Sequence, residues 1–67
     1  MHKVGIILSV WEQGEEIKIN EICKRLRELG YGWSMRHISN YVRNSMQYQY
    51  VVRVDTSPTK SGVWRRL

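Results

Sequence analysis

The sequence predicts an α+β domain in which three helices form the core and a small two- or three-stranded antiparallel sheet completes it. Up to residue 46, apolar residues recur mostly at three- and four-residue spacing, which is the period of an amphipathic helix. From residue 47 onward, apolar and polar residues tend to alternate, which is the period of a half-buried strand. With 67 residues the chain is expected to form one domain, 1–67, whose core is of marginal size.

The first predicted helix covers residues 3–13. Its apolar residues at helical spacing are Val4, Ile7, Leu8 and Trp11, and Gly14 is expected to end it. Ile6 and Val10 widen the apolar face beyond half of the circumference. Such a helix is expected either at the centre of the fold or in contact with a second copy of the chain, so a homodimer through Ile6 and Val10 is one predicted arrangement.

The second predicted helix follows a short strand at residues 17–19, which would pair at the edge of the later hairpin. Asn20 is the expected N-cap of this helix, and Glu21 is suitably negative in its first turn. The expected buried stripe is Ile22, Leu26 and Leu29, with Cys23 as a small apolar residue at the helix edge. Gly30 is expected to end the helix.

The third predicted helix runs from residue 35 to about residue 46, with Ser34 as its N-cap. The side expected to be buried holds Met35, Ile38, Val42, Ser45 and Met46. The opposite side is polar and holds Arg36, Asn40, Arg43 and Gln47, flanked by His37 and Asn44. Before this helix, Tyr31 and Trp33 are expected either to plug the junction of helices two and three or to stack against a sugar-phosphate chain.

The remaining segment predicts a β-hairpin whose strands cover residues 48–54 and 63–67, joined by a polar loop. A lone hairpin is not stable in water, so the hairpin is expected to pack on the helices. Trp64 is expected on the outer face of the sheet, at a contact with a partner or, with the register shifted by one residue, in the core.

Charge is distributed unevenly along the chain, whose net charge is +5. Residues 1–23 carry two lysines against four glutamates, whereas residues 24–67 carry nine lysines or arginines against two acidic residues. A polyanion is the natural partner class for the basic part, although basic residues also serve solubility. The polar face of the third helix contains no acidic residue, so it offers mainly donors for phosphates and base edges.

The order of elements resembles the winged helix-turn-helix family, on the segment "INEICKRLRELGYGWSMRHISNYVRNSM" followed by "YVVRV" and "GVWRRL". The resemblance implies that the third helix enters the major groove of double-stranded DNA, that the second helix supports it, and that the hairpin, called the wing, reaches the flanking backbone or minor groove. Two departures stand out. The turn before the third helix holds two glycines, a tyrosine and a tryptophan, and no glycine precedes the first wing strand.

The resemblance implies specific contact residues. On the third helix they are Arg36, His37, Asn40, Arg43 and Asn44, and on the wing they are Thr59, Lys60 and Ser61. The residues themselves add the hydroxyl of Ser34, Gln47 on the polar face and the positive charge of Arg65. An arginine can hold guanine and an asparagine can hold adenine, or both types can hold phosphates without sequence choice. Asn44 stands where the branch that binds left-handed DNA has a tyrosine, so that branch is not expected.

Other function classes are less well supported by the sequence. No serine or cysteine has an obvious general base and no glycine loop is typical of a phosphate site, so neither an enzyme nor a cofactor is expected. Cys23 is the only cysteine, which excludes an internal disulfide framework and makes a metal site unexpected. The apolar run near the start is broken by Gly5 and Ser9 and predicts neither a signal peptide nor a membrane span, so an intracellular, cytoplasmic protein is expected.

The resemblance and the basic third helix together predict a protein that binds double-stranded DNA, sequence-specifically or semi-specifically, as a small transcriptional regulator. Two alternatives to this function stay open. A winged helix domain can serve as a protein-interaction module inside a larger assembly. A binder of RNA or single strands would use Tyr48, Tyr50 and Trp64, and it would require these aromatic rings on the surface.

Overall fold

The computed structural model describes residues 2–54 and 62–67, which form an α+β fold with three α-helices and a three-stranded antiparallel sheet. The helices are α1 (Lys3–Ser9), α2 (Ile19–Glu28) and α3 (Met35–Tyr41), and the strands are β1 (Glu16–Lys18), β2 (Val51–Arg53) and β3 (Val63–Arg66). A π-helical segment, Val42–Met46, lies between α3 and β2. The predicted α+β class is confirmed. The predicted order of helices and strands is wrong, because it does not include the π-helical segment. The predicted wing residues Thr59, Lys60 and Ser61 lie outside the described residues.

The sheet has the order β1-β3-β2, so the short first strand pairs at the edge of the hairpin as expected. In the register, Ile17 lies opposite Trp64 and Val52 lies opposite Arg65. The strand β1 ends one residue earlier than predicted, because Ile19 already belongs to α2. Trp64 is only 4% exposed, which places it in the core among the three locations that the sequence left open.

Helix α1 is shorter than predicted, because its last turn tightens after Ser9. The N–H groups of Val10 and Trp11 donate to carbonyl groups three residues earlier instead of four. The chain then turns the Trp11 ring into the core, where it is 1% exposed and its indole N–H donates to the carbonyl oxygen of Glu15 at 2.8 Å. Gly14 has a φ of 82° in the following loop, so the expectation that it ends the helix is wrong.

Helix α2 begins without the predicted cap and ends as predicted. It starts at Ile19, and Lys18 occupies the cap position with no side-chain hydrogen bond, so Asn20 is not the N-cap. At the other end Gly30 has a φ of 98°, and the N–H of Tyr31 donates to the carbonyl oxygen of Leu26, which closes a Schellman motif. Leu29 lies in this turn and is 58% exposed, so its predicted burial is wrong.

Helix α3 begins at the predicted cap, where the hydroxyl of Ser34 accepts a hydrogen bond from the backbone N–H of His37 at 3.1 Å. Ile38, Val42 and Met46 are fully buried, as predicted. Met35 and Ser45 are exposed, against the prediction. The π-helical segment explains Ser45: a wider turn holds more residues, so positions four apart stay aligned while positions three apart separate. Met35 lies in the first turn of α3, where it borders a groove between α3 and the hairpin strands.

Strand β2 begins three residues later than predicted, because residues 48–50 form a turn after the π-helical segment. Tyr48 has a φ of 72° in this turn, and its N–H donates to the carbonyl oxygen of Val51 at 2.7 Å. A positive φ is uncommon for a residue other than glycine. Glycine would adopt this conformation without steric cost in the turn before β2.

The core draws on every helix and on the sheet. Its fully or nearly fully buried side chains are Ile7, Trp11, Ile22, Leu26, Ile38, Val42, Met46, Val51 and Trp64. Ile6 also belongs to this core and Val10 is half-buried against it. The apolar face of α1 is therefore used largely inside the fold, and the homodimer through Ile6 and Val10 stays a prediction. No helix in the described part of the chain is long and apolar enough to span a membrane.

Candidate nucleic-acid interface

The predicted contact residues of the third helix lie on one exposed surface formed by α3 and the π-helical segment. Arg36, His37 and Asn40 are exposed on α3, and Arg43 and Asn44 are exposed on the π-helical segment. Gln47, which follows them, is half-buried. We call this surface, from Arg36 to Gln47, the α3 surface. It has a basic half and an amide half.

The basic half borders a groove of about 640 Å³ between α3, the start of α2 and the hairpin strands. The apolar residues that line it are Ile19, Met35 and Trp64. The positively charged residues that line it are Arg36, Arg43 and Arg53, and the remaining lining residues are Asn20, Ser39 and Gly62. The groove thus combines an apolar lining with three guanidinium groups. No carboxylate belongs to the described residues that line it. An anion is the ligand type that this charge pattern favours.

Arg53 approaches the hairpin backbone closely at Gly62. A Cβ atom added at Gly62 would collide with the guanidinium group of Arg53, so the absence of a side chain at Gly62 makes room for this arginine beside α3. In the sequence, Arg53 is only one of the nine lysines and arginines of residues 24–67. Its position beside Arg36 and Arg43 follows from the strand register, which the sequence left undecided.

The amide half borders a shallow concavity of about 230 Å³ on the other side of α3. Its lining is His37, Asn40, Tyr41, Asn44 and Ser45. These side chains offer amide, imidazole and hydroxyl groups, which can both donate and accept hydrogen bonds. The predicted polar face is therefore divided, with arginines towards the hairpin and amides on the opposite side.

The acidic residues of the described chain form their ion pairs away from the α3 surface. Glu15 accepts two hydrogen bonds of 2.8 Å from Arg25, and Glu21 also lies 3.5 Å from Arg25. Glu16 lies 3.8 Å from Arg65 across the sheet. Arg65, a predicted wing contact, therefore lies with β1 and does not line the groove.

The ion pair of Glu15 and Arg25 is the shortest in the described residues. The hydrogen bond from Arg25, assisted by the backbone N–H of Glu12, lowers the pKa of Glu15 from 4.5 to about 2. The Glu15 carboxylate in turn raises the pKa of Arg25. Arg25 also donates to the carbonyl oxygen of Val10 at 2.9 Å, so it joins α2 to the loop after α1.

By contrast, the side chains of Arg36 and Arg43 form no ion pair or hydrogen bond with other described residues, which are 2–54 and 62–67. Both are exposed on the α3 surface. Their charge is therefore available to a ligand, whereas the charges of Arg25 and Arg65 are partly neutralised by glutamates.

Lys3 is a contributor to this surface that the sequence did not reveal. Its ammonium nitrogen lies 2.7 Å from Nε2 of His37 and about 5 Å from the ring centres of Trp33 (5.2 Å) and Tyr41 (5.0 Å). Lys3 is 34 positions from His37, and no local pattern links the two. The unusual Trp33 in the turn before α3 was the only hint that something packs there.

The aromatic residues favour one of the predicted roles over another. Tyr31 and Trp33 stack on each other at 5.0 Å and are half-buried against the core, which agrees with a plug. Tyr48 is 79% exposed, but Tyr50 is half-buried and Trp64 is buried. The three-ring surface required for single-strand binding is thus not formed, because Trp64 fills the core.

The thiol and the possible metal ligands add no second site. Burial raises the pKa of the Cys23 thiol, which lies in the core of the fold as a small apolar side chain. In the part of the chain that is described, no three His, Cys, Asp or Glu side chains are grouped to hold a metal ion.

Comparisons with protein-family models, with curated proteins and with solved structures found no match to this chain.

Proposed function

We propose that this chain is a winged helix domain that binds double-stranded DNA and acts as a small transcriptional regulator. In this proposal α3 and the π-helical segment enter the major groove, and the hairpin lies on the flanking backbone. The observation that carries it is the α3 surface, where Arg36 and Arg43 are exposed and border a groove with Arg53, and where no carboxylate of the described residues lines that groove.

An ordinary solvated helix surface supports the proposal less well. Such surfaces usually mix charges, because opposite charges at helical spacing stabilise a helix and interspersed signs favour solubility. On the α3 surface each charged side chain is positive, and the ion pairs of Glu15, Glu16 and Glu21 lie elsewhere. A phosphate backbone would supply the missing negative charge.

The two halves of the surface fit different parts of a duplex. Arg36 and Arg43 can hold phosphates or bind guanine with two hydrogen bonds, whereas Asn40 and Asn44 can bind adenine in the same way. A helix in the major groove can contact both the phosphate backbone that borders the groove and the edges of the bases. The groove between α3 and the hairpin would then face the backbone, and the amide half would face the bases.

The test compares two exposed arginines on different helices. Arg43→Ala should weaken duplex binding by about tenfold, because an arginine contact to DNA contributes about 1–3 kcal/mol. Arg27→Ala removes the same charge from α2, away from the α3 surface, and should change binding far less. Fluorescence anisotropy with duplex DNA, single-stranded DNA and RNA at two salt concentrations measures both effects.

The same data separate phosphate contacts from base contacts. If Arg43 holds a phosphate, Arg43→Ala weakens binding to all duplexes alike and lowers the salt slope by about 1. If Arg43 reads a base, the loss is confined to some sequences. Equal losses for Arg43→Ala and Arg27→Ala, or no duplex binding at low salt, would contradict the proposal.

A protein-interaction module is the second candidate function. It is favoured by Leu29, in the turn after α2, and Met35, in α3, two apolar side chains that are more than half exposed. Absence of duplex binding at low salt is the result that would favour this candidate.

A further inference from the structure

We infer that Lys3 is a positioning residue for His37 and fixes its imidazole in the form that carries the proton on Nδ1. His37 then presents a hydrogen-bond donor to an acceptor on the DNA. This inference rests on the proposed DNA binding and concerns a contact between α1 and the α3 surface that links two distant parts of the sequence.

The contact itself determines which ring nitrogen is protonated. The ammonium nitrogen of Lys3 lies 2.7 Å from Nε2 of His37. A lysine ammonium group has three donors and no acceptor, so Nε2 must accept with its lone pair. In a neutral imidazole the proton then resides on Nδ1.

Two aromatic rings hold Lys3 in the position that this contact needs. Its ammonium lies 5.2 Å from the ring centre of Trp33 and 5.0 Å from that of Tyr41, within the range of cation–π attraction. Both rings are half-buried and pack against the core. The Trp33 ring also lies 6.3 Å from the His37 ring. Lys3 is therefore restrained from three sides, unlike a lysine that is free in solvent.

The position of His37 makes its tautomer relevant to binding. His37 borders the amide half of the α3 surface with Asn40 and Asn44. Asparagine side chains can donate or accept, so they do not by themselves select an acceptor. A ring whose Nε2 is occupied by Lys3 has only its Nδ1–H to offer. The matching group on DNA is a phosphate oxygen or a base acceptor in the major groove, which is N7 of a purine, O6 of guanine or O4 of thymine.

The first measurement is long-range ¹H–¹⁵N NMR of the whole chain with labelled histidines, at a pH where the His37 ring is neutral. His2→Gln identifies the signals of His37. The expected result is an unprotonated Nε2 and a protonated Nδ1 in the wild type. Lys3→Met should shift His37 towards the Nε2–H form. Lys3→Arg should keep the wild-type form, because a guanidinium group also only donates.

The matched control is Lys24→Met, which removes one exposed lysine from α2. Lys24→Met should leave the His37 signals unchanged. A merely structural role of Lys3 would change the melting temperature without changing the tautomer. A protonated Nε2 in the wild type would overturn the inference, as would a His37 tautomer that is the same in the wild type and in Lys3→Met.

The second measurement is the affinity for an A·T duplex and for a G·C-rich duplex. Lys3→Met should lose roughly fivefold more affinity than Lys24→Met, although both lose one charge. A loss on both duplexes assigns the acceptor to phosphate or to N7 of a purine, a loss confined to the G·C-rich duplex assigns it to O6 of guanine, and a loss confined to the A·T duplex assigns it to O4 of thymine. Equal losses for the two variants would overturn the DNA contact of His37. If the wild type binds neither duplex, the proposed function fails with it, while the NMR result still decides the tautomer.

Discussion

At the scale of single residues, Tyr48 is the least expected feature of the chain. A tyrosine at a φ of 72° is strained, and its ring is 79% exposed, so packing of the ring does not offset that strain. The alternation of Tyr48, Tyr50 and Val52 predicted a strand there, because the pattern of side chains carries no information about the sign of φ. The lack of a glycine before the first strand of the predicted hairpin was the relevant signal.

Tyr48→Gly should therefore stabilise the fold by about 1 kcal/mol, because glycine adopts a positive φ without steric cost. The free energy of unfolding from urea titration measures this. Gln49→Gly, one residue later in the same turn, is the control, since the structure gives Gln49 no positive φ, and it should destabilise the fold slightly. A destabilised Tyr48→Gly would show that Tyr48 is not strained in this turn.

At the scale of elements, the sequence predicted which elements exist better than where they end. The helical spacing of apolar residues and the residue types typical of helix ends identified the three helices and the cap at Ser34, because these signals are local. The end of α1 is set by burial of Trp11, and the register of β3 is set by burial of Trp64; both are tertiary effects. The π-helical segment was missed because Ile38, Val42 and Met46 have a spacing that an α-helix also allows.

The contact between the loop after α1 and α2 has a predicted pH dependence. The pKa of Glu15 is lowered from 4.5 to about 2 by the hydrogen bond from Arg25, so the unfolded chain binds more protons between these values. The stability that this pair contributes is present above about pH 4.5 and is lost as the pH falls towards 2.

Urea midpoints measured from pH 6 down to pH 2 test this dependence. Glu15→Gln should flatten the decrease between pH 4.5 and 2, because the variant has no carboxylate to protonate there. Glu28→Gln, which removes a carboxylate for which the described residues provide no ion pair, should retain most of the wild-type decrease. The same slope in both variants would argue against a dominant contribution of the Glu15–Arg25 pair.

At the scale of the whole molecule, the uneven charge of the sequence becomes a spatial separation. Three of the four glutamates of the first part, Glu15, Glu16 and Glu21, pair with Arg25 or Arg65, and Arg36 and Arg43 lie beside Arg53 at one groove. The sequence predicted the arginines and amides of the third helix, because one helix fixes their spacing. It did not predict that Lys3 and Arg53 join them, because those positions depend on how α1 and the hairpin pack on α3.

DNA binding by the α3 surface can be tested directly by a ¹H–¹⁵N NMR titration of the whole chain with duplex DNA. The largest chemical-shift changes are expected along the α3 surface, including Arg36, Asn40 and Arg43, and at Lys3 and Arg53 beside it. The outer side of the sheet at Glu16 and the end of α2 at Leu29 should change little. Changes concentrated at Glu16 or Leu29, or no changes at all at low salt, would contradict it.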